Sequence, residues 1–141
     1  MQLDHIGIVV RSLDRAVSQW EEVFGYRRST RPVDNTRQKV KVVFLEKEGS
    51  TTIKLIEPFD PSSPAAGALR RGGGLHHLCF RVESLEQAER EMREKKLRVI
   101  AGPEPGEAFE NENILFVLAG NGVNVELIDT EKRAERIESA S

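Results

Sequence analysis

The sequence has a single cysteine, Cys79, among 141 residues. No internal disulfide can staple such a chain, so its fold rests on a hydrophobic core, in keeping with a reducing cytoplasm. Hydrophobic residues make up 38%, which suffices for one core at this length, and a single domain over 1–141 is expected. Charge of one sign is not in excess either: 21 Lys and Arg stand against 23 Asp and Glu. Nothing concentrates basic residues into a phosphate-tracking surface, so nucleic acid is excluded as an expected partner. Apolar runs fall far short of the roughly 20 residues that cross a bilayer, and no membrane association is expected. The start MQLDHIGIVV enters an alternating apolar pattern without a charged lead or cleavage site. Export is therefore not expected, and a cytoplasmic location is.

What the chain does have is an internal repeat. At a constant offset of 72, Leu3, His5, Val10, Ser12, Leu13, Ala16 and Glu22 fall on Leu75, His77, Val82, Ser84, Leu85, Ala88 and Glu94. The register holds to the end of both halves, with VVFL from Val42 on ILFV from Ile114 and IKLIEP from Ile53 on VELIDT from Val125. Such a repeat means one supersecondary unit used twice.

Each half is predicted to run strand, helix, then strands. Leu3 to Val10 and Leu75 to Val82 are short and rich in residues that favour strands. Ser12 and Ser84 stand at N-cap positions, and Gln87 completes a capping-box pattern. Ala16, Trp20, Val23 and Phe24 then recur at helical spacing, as do Leu85, Ala88 and Met92, and Gly25 ends the first helix. Val40–Leu45 and Thr51–Glu57 follow as strands across EKEGS, matched by Ile114–Leu118 and Val123–Ile128 across AGNG. Weaker strands near Tyr26–Arg31 and Arg98–Ala101 bring each module to four. Module one covers about 1–58, a Pro/Ser/Gly linker about 59–74 with one helical turn at Ala65 to Arg70, and module two about 75–130. GPEPGEAFENEN from Gly102 is expected to be a surface loop, with a mobile edge over a site as the alternative. The polar tail 131–141 is expected as surface helix or disorder without function.

Two such modules are expected to pair face to face about an approximate twofold axis, which sets position 5 against 77 and 54 against 126. Alternation puts His5 on one face with Gly7 and Val9, puts His77 with Cys79 and Arg81, and turns His76 away. Glu126 lies mid-strand in an apolar run, where a carboxylate is costly unless paired or bound to a cation. Two imidazoles and a carboxylate converging from different strands make a facial site for a divalent first-row ion. A lone strand histidine is more often structural; it is the repeat that raises His5 and His77 above that reading. Cys79 is expected to be a packing residue and GGG before Leu75 a flexible link.

LDHIGIVV, SLDRAVSQWEEVFGY, SSPAAGAL, GGGLHHLCFRVESLEQA and VNVELID together resemble the vicinal oxygen chelate superfamily, and within it the methylmalonyl-CoA epimerases, over nearly the whole chain. The resemblance implies an α+β fold in which two tandem βαβββ modules form a cupped, mostly antiparallel eight-stranded sheet with helices outside. It implies that His5, His77 and Glu126 match three ligands of a divalent metal (cobalt, manganese, zinc, nickel or iron). It also implies α-proton removal from an acyl-CoA through an enolate, with Glu126 anchoring the metal and helping to shuttle the proton, in a homodimer. Glyoxalase- or dioxygenase-type chemistry, or non-catalytic binding of the bleomycin-resistance type, are the alternatives.

The sequence departs from that pattern where those relatives carry Glu or Gln, at the counterpart of Glu126: here it is Lys54. That lysine must swing out, lose its proton, act in catalysis, or take the metal's place against Glu126; the plain reading is a side chain snorkelling to solvent. The strand that carries a glutamate acid or base in some epimerases offers only Lys41 here.

Overall fold

The computed structural model, which describes residues 1–137, shows how short polar side chains start the elements of each half. Strands β1 (Gln2–Val9) and β6 (Gly74–Arg81) lead into helices α1 (Leu13–Glu22) and α3 (Leu85–Glu94). Ser12 Oγ accepts the Arg15 N–H and Ser84 Oγ the Gln87 N–H, so both N-caps form as predicted. The capping box is only half made, because the Gln87 side chain donates to Glu91 instead. A second cap, unread in the sequence, supplements each serine. Leu13 N–H donates to Glu57 Oε1 at 3.0 Å, and Leu85 N–H to Asp129 Oδ2 at 2.9 Å. A carboxylate there answers the positive end of the helix. Helix α1 stops at Glu22, before Val23 and Phe24, which are exposed rather than on its apolar face; Gly25 takes φ 76° just beyond. Leu13 and Val17 form the buried face, flanked by Ala16 and Trp20.

The first half continues as β2 (Arg27–Arg28), β3 (Val33–Asn35), β4 (Val40–Glu46) and β5 (Thr52–Pro58). A short helix α2 (Ala66–Arg70) sits in the linker, and β7 (Arg98–Gly106), β8 (Glu112–Leu118) and β9 (Asn124–Ile128) complete the second half. The fold is α+β, with one sheet in the order β2-β4-β5-β1-β6-β9-β8-β7 and β3 also on β4. Among the described residues only β1–β5 and β6–β9 pair in parallel. The sheet has nine strands, not eight, because the weak strand expected near Tyr26 divides into β2 and β3 along β4, on either side of Pro32, which has no N–H to donate.

The modules do not meet face to face. They join edge to edge, β1 antiparallel to β6, with Ile6 opposite its own counterpart Leu78. Alternation then sorts the core. Val43, Leu45, Ile53 and Leu55 face outward under α1, and Leu115, Val117 and Leu127 outward under α3. Val9, Val40, Val42, Phe44, Ile56, Cys79, Ile114 and Ile128 face into the cup.

Two expectations fail on the concave side. GPEPGEAFENEN is not a surface loop: β7 runs through Gly106 and a 3-10 turn, Glu107–Phe109, drops Ala108 and Phe109 into the cup core. The turn also ties the rim, since the Thr36 N–H and hydroxyl both donate to Glu107 Oε1, at 2.7 and 2.6 Å. The tail, as far as Ile137, is packed rather than free. Ala134 N–H donates to Ala108 O, Glu135 O accepts the Arg31 N–H, and Ile137 N–H donates to Ser29 O. Residues 138–141 of the expected surface tail lie outside the described residues.

Phe109→Ala is expected to lower unfolding free energy by about 3–5 kcal/mol, the cost of truncating a buried ring. Urea denaturation checks this, and a change under about 1 kcal/mol would return the segment to the surface.

Candidate metal centre

The site forms at the seam. His5 on β1 and His77 on β6 face into the cup from adjoining strands, and Glu126 on β9 faces in beside them, opposite Cys79. His5, His77 and Glu126 are all at most 1% exposed. His5 Nε2 and His77 Nε2 are 3.3 Å apart, and each is 3.2 Å from Glu126 Oε1. The sequence-derived triad is therefore brought together in space. Ligand atoms at about 2.1 Å from one ion and at right angles lie roughly 3 Å apart, so the triangle suits one face of a coordination shell.

Two β-bulges aim the other nitrogens. Asp4 lies in the register shift between Leu3 and His5, and its repeat counterpart His76 in the shift between Leu75 and His77. An extra residue turns its side chain off the strict alternation. Asp4 Oδ2 accepts the His5 Nδ1–H at 2.7 Å, and His76 Nδ1 lies 2.8 Å from His77 Nδ1. His76 is thus not turned away as alternation predicts; it lines the same cavity as His77. With the His5 proton on Nδ1, its Nε2 presents a lone pair, and among the described residues Glu126 Oε1 is left buried without a donor. A cation is the partner such an orphaned oxygen lacks. A second group, Asp4, His5 and Cys79, also lies within ligand distance. It suits a metal less, because Asp4 is already bonded to Arg133 and burial pushes the Cys79 thiol well up, keeping it protonated.

Lys54 is 5% exposed and does not snorkel to solvent. Its ammonium lies 5.1 Å from the Phe109 ring centre and 5.6 Å from that of Phe44. Among the described residues it has no ion pair within 4.0 Å, so it leaves the space before Glu126 Oε1 free. Burial pushes the Glu126 carboxyl up, but the Lys54 charge and the His5 and His77 imidazoles 3.2 Å from Oε1 outweigh it and hold the group well below the ordinary carboxylate range. Burial drives His77 down to about 3 against the pull of Glu126. Burial first, then the Lys54 charge, lower His76 as well.

The inner cavity, lined by Lys54, His76, His77, Glu126, Phe109 and Phe116 among others, is about 30 Å³, room for an ion or a water or two. An outer pocket of about 250 Å³ shares Gln38, His76 and Phe116 with it. Asp4 and His76 were detectable as a repeat pair; Arg133 and Gln38 had no sequence signal.

Residues 4–116 match the family described as the Glyoxalase/Bleomycin resistance protein/Dioxygenase superfamily. The chain belongs to this superfamily. Within the superfamily it is 32% identical over 130 residues to the ethylmalonyl-CoA/methylmalonyl-CoA epimerase of Cereibacter sphaeroides, covering 89% of this chain and 96% of that protein. It is 34% identical over 131 residues to the uncharacterized protein YqjC of Bacillus subtilis, covering 91% of each. The crystal structure of methylmalonyl-CoA epimerase from Mycobacterium tuberculosis superposes with a TM-score of 0.81 at 31% identity, over 91% of this chain and 87% of that one.

The shifted groups give a pH dependence. Between about 3 and its ordinary 6.5, His77 binds fewer protons folded than unfolded, so the stability it contributes is full above 6.5 and is lost as pH falls through that window. Glu126 adds its own loss below its ordinary 4.5. The urea midpoint of metal-free protein is expected to fall from about pH 7 to about pH 5, and His77→Gln to flatten that slope. An unchanged slope in folded His77→Gln would assign the effect elsewhere.

Proposed function

We propose that this protein is a metal-assisted epimerase of a small acyl-CoA, methylmalonyl-CoA or a close homologue, which removes and returns the α-proton through an enolate. The observation that carries the reading is the buried triangle of His5 Nε2, His77 Nε2 and Glu126 Oε1, with the carboxylate oxygen lacking a donor among the described residues. The epimerases among the relatives support the substrate class.

His5, His77 and Glu126 hold the divalent cation. When bound, it supplies positive charge where the enolate develops. Glu126 is the anchor and also, though drawn below the ordinary carboxylate range, the base. Lys54 takes the role that charge leaves open. Lys54 and Glu126 already balance one another, so a dication leaves the cup positive, which suits a substrate bringing a carboxylate and a developing oxyanion. Lys54 Nζ donates a hydrogen bond to that oxygen, while the Glu126 carboxylate, lining the same cavity, takes the α-proton and returns it to the carbon. The rings of Phe44, Phe109 and Phe116 keep water from the reacting end, which strengthens each of these charges. The reading includes a homodimer acting in the cytoplasm.

Protein loaded with cobalt is expected to exchange the α-proton of methylmalonyl-CoA with solvent deuterium, followed by NMR. Lys54→Met should cut the exchange rate by roughly 100-fold or more, the scale of a lost oxyanion donor. Lys54→Glu should bind cobalt more tightly by calorimetry, because it replaces a repulsive charge with a ligand. No exchange with cobalt, manganese, zinc or nickel in folded protein would favour a small-molecule binding protein, and unchanged cobalt affinity in Lys54→Glu would place Lys54 outside the metal's reach.

A further inference from the structure

The segment after β9 reaches the back of the metal centre through one side chain. Arg133 is 9% exposed, and its guanidinium carbon stacks 4.5 Å from the Phe44 ring centre and 5.1 Å from that of Phe109. Its Nη2 donates to Asp4 Oδ2, the same oxygen that accepts the His5 Nδ1–H. Asp4 is itself 5% exposed. The flanking backbone bonds from Ala134, Glu135 and Ile137 fix the segment on either side of the turn at Ala108 and of Ser29 to Arg31. The guanidinium therefore sits in a built position, between two aromatic rings and a buried carboxylate.

An imidazole that binds a cation through Nε2 must carry its proton on Nδ1, and the partner of Nδ1 decides this. A carboxylate only accepts, so while Asp4 faces Nδ1 the proton stays there. His77 has no such guarantee, because its partner His76 can donate or accept. The orientation of Asp4 in turn depends on Arg133 and, more exposed at 3.7 Å from the other carboxylate oxygen, on Arg81.

We propose that Arg133 is a positioning residue of the metal centre: by holding Asp4 against His5 Nδ1 it keeps His5 Nε2 free to bind, so that docking of segment 130–137 and cation binding strengthen each other. The inference rests on His5, His77 and Glu126 being the ligands. Reciprocity follows from linkage, since whatever docking does for the cation the cation does for docking.

Three measurements on the full chain test it. Long-range 15N–1H correlation of histidine in metal-free wild type should show His5 with its proton on Nδ1, and Arg133→Met should show a mixture of tautomers. Cobalt titration should find Arg133→Met weaker by roughly 10- to 100-fold, the usual cost of losing such an outer partner. Arg133→Lys should recover part of that loss. In wild type, cobalt should slow amide exchange at Ala134 and Ile137, and in Arg133→Met it should not. Asp4→Asn, which keeps shape without charge, should shift tautomer and affinity in the same direction and serves if Arg133→Met does not fold. The inference is overturned if wild-type His5 carries its proton on Nε2 or if Arg133→Met binds cobalt within about twofold of wild type. A fall in affinity with the tautomer unchanged would also overturn it, leaving Arg133 as packing. Absence of cobalt binding by wild type would remove the metal centre as well, which separates failure of the premise from failure of the inference.

Discussion

The antiparallel pairing of β1 with β6 is the constraint on which the rest depends. It sets His5 and His77 on adjoining strands, and it works only because Gly7, opposite His77, has no side chain. A Cβ there would stand 2.2 Å from His77 Cε1, with no room for the ring. The same pairing carries the two bulges, and these turn Asp4 and His76 toward the Nδ1 atoms of the next residues. One seam therefore places the facing Nε2 atoms of His5 and His77 and also the groups beside their Nδ1 atoms.

Electrostatics in the cup follow from its burial. Its wall is apolar and aromatic, so each charge inside is felt strongly by the others. Glu126 stays ionised against its own burial because Lys54 and two imidazoles stand nearby, while His77 stays neutral. A neutral imidazole and an ionised carboxylate are the protonation states a cation needs. Lys54 reaches this balance without touching Glu126, held instead near the faces of Phe44 and Phe109. Aromatic faces stabilise an ammonium and leave its hydrogens to bond elsewhere.

Most of the fold was legible because a repeat doubles every local signal. Ser12 supports Ser84, and VVFL supports ILFV, so strands and caps fell near their places. The triad was legible for the same reason, since His5 and His77 share a position and Glu126 is costly anywhere but at a site. Bulges were not legible, because one extra residue changes facing without changing composition, and His76 was assigned to the wrong side. Nor was the burial of Ala108 and Phe109, where two apolar residues lie among Gly, Pro and Glu and the decisive contacts come from distant strands. The tail's polar composition hid Arg133, whose apolar stem and planar head pack on rings that the sequence places about 25 and 90 residues away.

Ile6 facing Leu78 across the seam has one more implication. A half-length chain would leave β1 an open edge, and such an edge is a template for another copy of itself. Two separate halves could close the same cup, but every residue in it would then come twice: two lysines at the position of Lys54, or two glutamates at that of Glu126. Fusion turns an encounter between molecules into one within a molecule, at an effective concentration on the order of millimolar. It also frees the two positions to mutate apart. A cup holding one lysine and one glutamate at matched positions is not open to two identical halves.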